Sequence, residues 1–109
     1  PTMMQAQILE VNGICLDYQA CTVSTSNFPA IALTAKELNL LEYFLSHPNQ
    51  VLTHDQIRSR LWSLADESVS NVVAAQIRLL RRKLAECGRP DCIETLRGLG
   101  YRFRTHYES

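Results

Sequence analysis

The 109-residue chain contains no run of 18 or more apolar residues, which excludes a membrane-spanning helix. Its opening stretch, Pro1-Thr2-Met3-Met4-Gln5-Ala6, lacks the basic segment and apolar core of a secretory signal. It has no surplus of either charge: eleven Lys and Arg oppose eleven Asp and Glu, so a histone-like polycation is excluded. No glycine-rich phosphate loop, His-Glu-x-x-His pair or nucleophile elbow occurs, and the three histidines, His47, His54 and His106, are scattered, so no catalytic constellation is present and an enzyme is not expected. No initiator methionine stands at Pro1, and the expectation is a piece of a longer protein.

What is present is 46% hydrophobic residues, enough for one domain with its own core over residues 1–109. Four cysteines, Cys15, Cys21, Cys87 and Cys92, are read as reduced thiols of a soluble cytoplasmic domain, with neither metal nor cofactor, since a core of this size folds without disulfides. The four residues between Cys87 and Cys92 form a looser spacing than the pairs of zinc ribbons. A thiol- or metal-responsive regulator stays open as an alternative.

The zero net charge conceals an asymmetry. Residues 1–67 carry three basic against seven acidic side chains, whereas residues 68–104 carry eight basic against three acidic. A basic end on a small domain points to a polyanionic partner.

Periodicity orders the elements. Residues 7–11 and 14–18 flank Asn12-Gly13, a pair suited to a two-residue turn with positive φ. Residues 21–24 and 30–33 are two further strands around the turn-like 25–29, giving four antiparallel strands. Thr34-Ala35-Lys36-Glu37 is a capping box that starts a helix with Leu38, Leu41, Phe44 and Leu45 inward, ended by His47-Pro48-Asn49. Thr53-His54-Asp55-Gln56 opens a second, shorter helix with Ile57, Leu61 and Trp62 on its apolar side. A third helix from Ser68 or Ser70 to about Cys87 places Val69, Val73, Ile77, Leu80 and Leu84 on one stripe, and Gly88 and Pro90 stop it. Residues 92–96 and 101–105 close the chain as a hairpin whose glycines, Gly98 and Gly100, are expected to supply positive φ. The architecture is α+β: a four-stranded antiparallel sheet, a three-helix core and a C-terminal hairpin, the plan of a winged helix-turn-helix. In that plan the third helix enters a DNA major groove and the hairpin reaches the flanking backbone or minor groove.

The segments Leu33-Thr34-Ala35-Lys36-Glu37-Leu38-Asn39-Leu40-Leu41, His47-Pro48, Val51-Leu52-Thr53-His54-Asp55-Gln56-Ile57, Leu61-Trp62, Ile77-Arg78-Leu79-Leu80-Arg81-Arg82-Lys83-Leu84 and Thr95-Leu96-Arg97-Gly98-Leu99-Gly100-Tyr101-Arg102-Phe103 resemble, in order and spacing, the effector domain of OmpR/PhoB-type response regulators. The resemblance runs from about Ile8 to Phe103. It implies a bacterial, cytoplasmic, sequence-specific transcription regulator bound to double-stranded DNA, the output domain of a two-component phosphorelay. A receiver domain phosphorylated by a sensor histidine kinase would precede it.

Carried over by position, the resemblance implies phosphate contacts by Trp62, Asn71, Val72, Gln76, Arg78, Arg81, Thr95 and Tyr101, with Arg82 on the same face of the third helix. It implies base contacts by Ala75 and Leu79, and entry of Arg97 into the minor groove. Ser63, Leu64, Ala65, Asp66 and Glu67 match the loop that touches RNA polymerase in activators. Leu79 stands where many relatives carry a basic residue and cannot donate to guanine, so A·T-directed reading is expected there, against the alternative that it packs against another domain. An isolated monomer that pairs head to tail on tandem direct repeats is implied, dimerisation coming from the receiver. A winged helix used only for protein contacts is the remaining alternative.

Overall fold

A computed structural model describes residues 7–62 and 72–105. Strands β1 (Ile8–Val11), β2 (Ile14–Asp17), β3 (Thr22–Thr25) and β4 (Phe28–Ala32) form an antiparallel sheet in chain order. Helix α1 (Ala35–Ser46), strand β5 (Val51–Thr53), helix α2 (His54–Leu61), helix α3 (Val72–Glu86) and strands β6 (Ile93–Leu96) and β7 (Gly100–Phe103) follow. Among the described residues no helix is long and apolar enough to cross a membrane.

The first hairpin turns at Asn12 (φ 54°) and Gly13 (φ 84°), with Val11 opposite Ile14, as the dipeptide requires. The second pair of strands differs from expectation. Asp17 Oδ1 accepts from the Gln19 and Ala20 N–H groups and Cys21 (φ 59°) closes that turn, so β3 starts one residue later than the sequence pattern indicated. The following turn is only Ser26-Asn27, and Phe28 and Pro29 belong to β4 rather than to the turn. Proline is tolerated there because β4 is an edge strand, where a missing N–H need break no ladder bond.

Both capping boxes form. The Thr34 N–H donates to Glu37 Oε1 (2.8 Å) while Thr34 Oγ1 accepts from the Glu37 N–H (3.2 Å), and Thr53 and Gln56 repeat the exchange at α2. On α1 the buried stripe is Glu37, Leu40, Leu41, Phe44 and Leu45. Leu38 lies at its margin and Leu40 in the core, because two leucines two residues apart cannot share one helical face. Val73, Ile77, Leu80 and Leu84 form the buried stripe of α3; Val69, Ser68 and Ser70 lie outside the described residues. Its end is a Schellman motif: Gly88 (φ 82°) donates to the Ala85 carbonyl and Arg89 to the Leu84 carbonyl.

Strand β5 had no counterpart in the sequence reading. It pairs with β7, Leu52 opposite Tyr101, so the closing hairpin is part of a three-stranded sheet ordered β5-β7-β6. Of the two wing glycines only Gly98 has a positive φ (77°). Gly100 is required by close approach instead: a Cβ there would run into the Leu52 carbonyl oxygen and lie 2.7 Å from the Thr53 Cα.

One core joins the two sheets and three helices, with Ile14, Leu16 and Val23 from the first sheet, Leu52 and Phe103 from the second, and the helical stripes between them. Glu37, 2% exposed, is its charged member, and Lys83 Nζ of α3 meets it at 2.8 Å while also donating to the Ala32 carbonyl (2.9 Å). Helix α3 is thereby tied to the start of α1 and the end of β4.

Candidate nucleic-acid interface

Burial of its Val73-Ile77-Leu80-Leu84 stripe turns the opposite side of α3 to solvent, and Ala74, Ala75, Arg78, Leu79 and Arg82 are exposed there. Arg78 and Arg82 have no charge partner among the described residues. Val72 and Gln76 are half-buried, and Val72 packs against the core. The Gln76 Oε1 is enclosed and finds no hydrogen-bond donor among the described residues. Asn71 and the loop Ser63, Leu64, Ala65, Asp66 and Glu67 lie outside the described residues.

Arg81 leaves α3 on a different side. Its Nη2 donates to the Ile93 carbonyl (2.9 Å) and to Thr95 Oγ1 (2.7 Å), and its guanidinium stands 5.9 Å from the centre of the Tyr101 ring. Those contacts fasten the β6–β7 hairpin to α3. Thr95 accepts through its oxygen, which leaves its own hydroxyl proton for an outside acceptor. Tyr101 is 6% exposed and lies against the His54 ring at 5.2 Å, so only the edge of its side chain is accessible.

At the hairpin, Arg102 is consumed internally: its Nε and Nη2 donate to Glu94 Oε1 at 3.1 and 2.9 Å across the strand pair. Arg97, in the connection between β6 and β7, is exposed and makes no ion pair with a described residue. Among the described residues, Arg78, Arg82 and Arg97 are thus exposed without an ion pair, while Arg81 and Arg102 hold the hairpin in place.

Trp62 caps the C-terminus of α2, half-buried against the core, and the Lys36 ammonium of α1 lies 5.3 Å from its ring centre. Sequence reasoning did not bring Lys36 to this edge, because no linear spacing relates the first turn of α1 to the end of α2. Nor did it place His54 against Tyr101.

The thiols bear on the alternative of redox or metal control. Cys87 and Cys92 are buried, with Sγ atoms on the Val23 (3.8 Å) and Arg89 (3.4 Å) carbonyls. Burial pushes the Cys87 thiol up, and the Glu86 charge adds to it. Burial likewise pushes Cys92 up to about 11 against the pull of the Arg89 and Arg81 charges. Both are protonated thiols at neutral pH and therefore poor nucleophiles. In the native chain at pH 7.5, Cys87 and Cys92 are expected to resist an aromatic disulfide reagent, all four thiols reacting once the chain is unfolded. Rapid native reaction of all four would contradict this burial.

Residues 29–103 match the family described as "Transcriptional regulatory protein, C terminal". The chain is similar to response regulator RppA of Synechocystis, 48% identical over 106 residues that cover 91% of this chain and 45% of that protein. It spans under half the length of such relatives. Among solved structures, the DNA-binding domain of CpxR from Escherichia coli superposes with a TM-score of 0.73 at 27% identity, covering 92% of this chain and 98% of that one. The DNA-binding domain of Klebsiella pneumoniae RstA, solved in complex with the RstA box, has a TM-score of 0.75 at 23% identity over 92% of this chain and 99% of that one, a likeness of fold.

Proposed function

Since this chain belongs to the family of C-terminal domains of transcriptional regulatory proteins, the effector domains of OmpR/PhoB-type response regulators, we propose that it binds double-stranded DNA in a sequence-specific manner as the output domain of a two-component phosphorelay. The observation that carries the reading is the pair Arg78 and Arg82, exposed on the solvent face of α3 with no charge partner among the described residues, and the Arg97 hairpin fastened to the same helix through Arg81. A major groove about 12 Å wide admits one helix, and a helix whose outer face is small early and basic late approaches bases and phosphates together. CpxR and RstA, alike in fold, are DNA-binding domains, and the RstA complex contains its box.

In this reading α3 occupies the major groove and Arg97 the neighbouring minor groove. Arg78, Arg82 and the edge of Thr95 contact phosphates, with Asn71, Val72, Gln76, Trp62 and Tyr101 at the margin. Arg81 contributes chiefly by holding the hairpin. A single winged helix buries roughly 600–1,000 Å², which makes two copies on tandem half-sites the working unit. The name response regulator borne by RppA supports a preceding receiver and a sensor kinase as the source of the signal. Residues 63–67, with Asp66 and Glu67, are the segment offered to RNA polymerase, and the protein operates in the cytoplasm, where both DNA and polymerase are found.

The test is selection of sites from a random duplex library, followed by titrations of the winning and a scrambled duplex at several salt concentrations. A repeated motif should enrich, with affinity falling steeply in salt as counterions are released. Arg78→Ala and Arg97→Ala are each expected to weaken binding by about 1–3 kcal/mol, and each should reduce the salt slope by about one unit where a phosphate contact is lost. Equal, weak binding to both duplexes, unchanged in the two variants, would overturn the assignment in favour of a protein partner.

A further inference from the structure

Leu79 is the exposed large apolar residue of α3, 40% accessible, and the other three such residues among those described, Ile8, Phe28 and Leu99, lie in the sheets and at the hairpin tip. It is exposed beside Arg78 and one turn beyond Ala75, with Arg82 three residues on. This exposure places Leu79 outside the domain's own core. On the reading above, Arg78 and Arg82 take phosphates, and Leu79, farther round the helix on the Ala75 side, faces the base edges. The short side chains of Ala74 and Ala75 let the helix backbone approach closely.

An isobutyl group in that position has no hydrogen bond to give. Pressing it on a base carbonyl, ring nitrogen or amino group would strip water from a polar edge without compensation, which is unfavourable. The major-groove floor carries one apolar group, the C5-methyl of thymine. We propose that Leu79, with Ala75 beside it, is a specificity-determining residue that reads the 5-methyl group of a pyrimidine. The discrimination is then a matter of apolar contact, not of hydrogen-bond pattern. A 5-methylcytosine at the same step satisfies Leu79 as thymine does.

This inference rests on the DNA-binding reading, and its test separates the two. In the duplex selected by the native chain, each thymine is replaced in turn by deoxyuridine, which keeps every hydrogen-bonding edge and removes only the methyl. One step per half-site is expected to lose affinity about three- to fivefold, the worth of one buried methyl group. Leu79→Ala, an exposed position whose melting temperature serves as the check on folding, should abolish the uracil effect at that step and leave the others unchanged. A 5-methylcytosine there should bind the native chain more tightly than cytosine, and the variant equally. A flat uracil scan, or the same scan in Leu79→Ala, overturns the role of Leu79 while the selected motif still upholds DNA reading. Failure to enrich any motif overturns both.

Discussion

Replacing Lys83 by methionine is expected to lower the unfolding free energy by about 3–5 kcal/mol at pH 7, because it strands a buried carboxylate. Glu37 is 2% exposed, and its carboxylate is matched by the Lys83 ammonium at 2.8 Å and by the Thr34 N–H at 2.8 Å. Burial by itself pushes the Glu37 carboxyl up; the Lys83 hydrogen bond, the Thr34 N–H, the Lys83 charge and the Thr34 hydroxyl outweigh it and hold the group below its ordinary 4.5. A carboxylate with a lowered folded pKa contributes stability that is fully present above the unfolded value and is lost as pH falls through the folded one. Without Lys83 only the two Thr34 hydrogen bonds oppose the burial effect, so the Glu37 carboxyl rises from its native folded value and contributes less stability above the region around 4.5.

The gap between native chain and Lys83→Met, measured by urea unfolding, should therefore be small at pH 3 and open through the region around 4.5. Adding Glu37→Gln to Lys83→Met should recover much of the loss at pH 7, since glutamine keeps the capping box and carries no charge. For a domain of this size each kcal/mol shifts the melting temperature by roughly 4–8 °C, so the effect is well within reach of measurement. A gap of equal size at pH 3 and pH 7 would show that Lys83 acts through its hydrogen bond to the Ala32 carbonyl, not through the Glu37 charge.

That pair also shows where the sequence stops being readable. Features confined to a few consecutive residues were legible in advance: Asn12-Gly13, the Thr34/Glu37 and Thr53/Gln56 boxes, and the end of α3 at Gly88, each a short arrangement with few geometric solutions. The family and the winged-helix plan were legible too, because several such pieces recur in a fixed order. Contacts between distant residues were not. Glu37 reads locally as a cap, and nothing within its helix announces a lysine 46 residues away that allows its burial. Strand β5 is three residues long, too short for alternation to register, and it exists only because β7 arrives about 50 residues later.

In the interface the same division holds. The amphipathic pattern of α3 placed Ala75, Arg78 and Arg82 outward, as found, and Leu79 only at the flank, whereas the counting of basic residues could not tell Arg97 from Arg102. Only the strand register, which sets Glu94 opposite Arg102, separates a guanidinium that faces solvent from one already engaged. Arg81 likewise reads from the sequence only as one more phosphate ligand, and its Nη2 bonds to Ile93 and Thr95, which tie the hairpin to α3, appear only in the fold.

The two glycines of the hairpin give the sharpest contrast between a residue chosen for its dihedral angle and one chosen for its missing side chain. Gly100→Ala is expected to cost about 3 kcal/mol, the upper part of the range for overpacking, because the atoms in its way are backbone and cannot swing aside. The new methyl would meet the Leu52 carbonyl oxygen and the Thr53 Cα at 2.7 Å, so β5 must separate from β7 or the sheet must shear. Gly98→Ala places its methyl in open space and bears only the cost of φ at 77°, about 1–2 kcal/mol. Denaturant unfolding of the two variants side by side checks the order. The consequence for recognition follows from the same geometry, since β7 links β5 to the strand that Arg81 grips. Displacing it moves Arg97, so Gly100→Ala should reduce the salt slope of DNA binding by about one unit while Gly98→Ala, whose sheet is intact, keeps the slope. Equal stability losses would mean that β5 yields freely, and the hairpin would then owe its position to Arg81 alone.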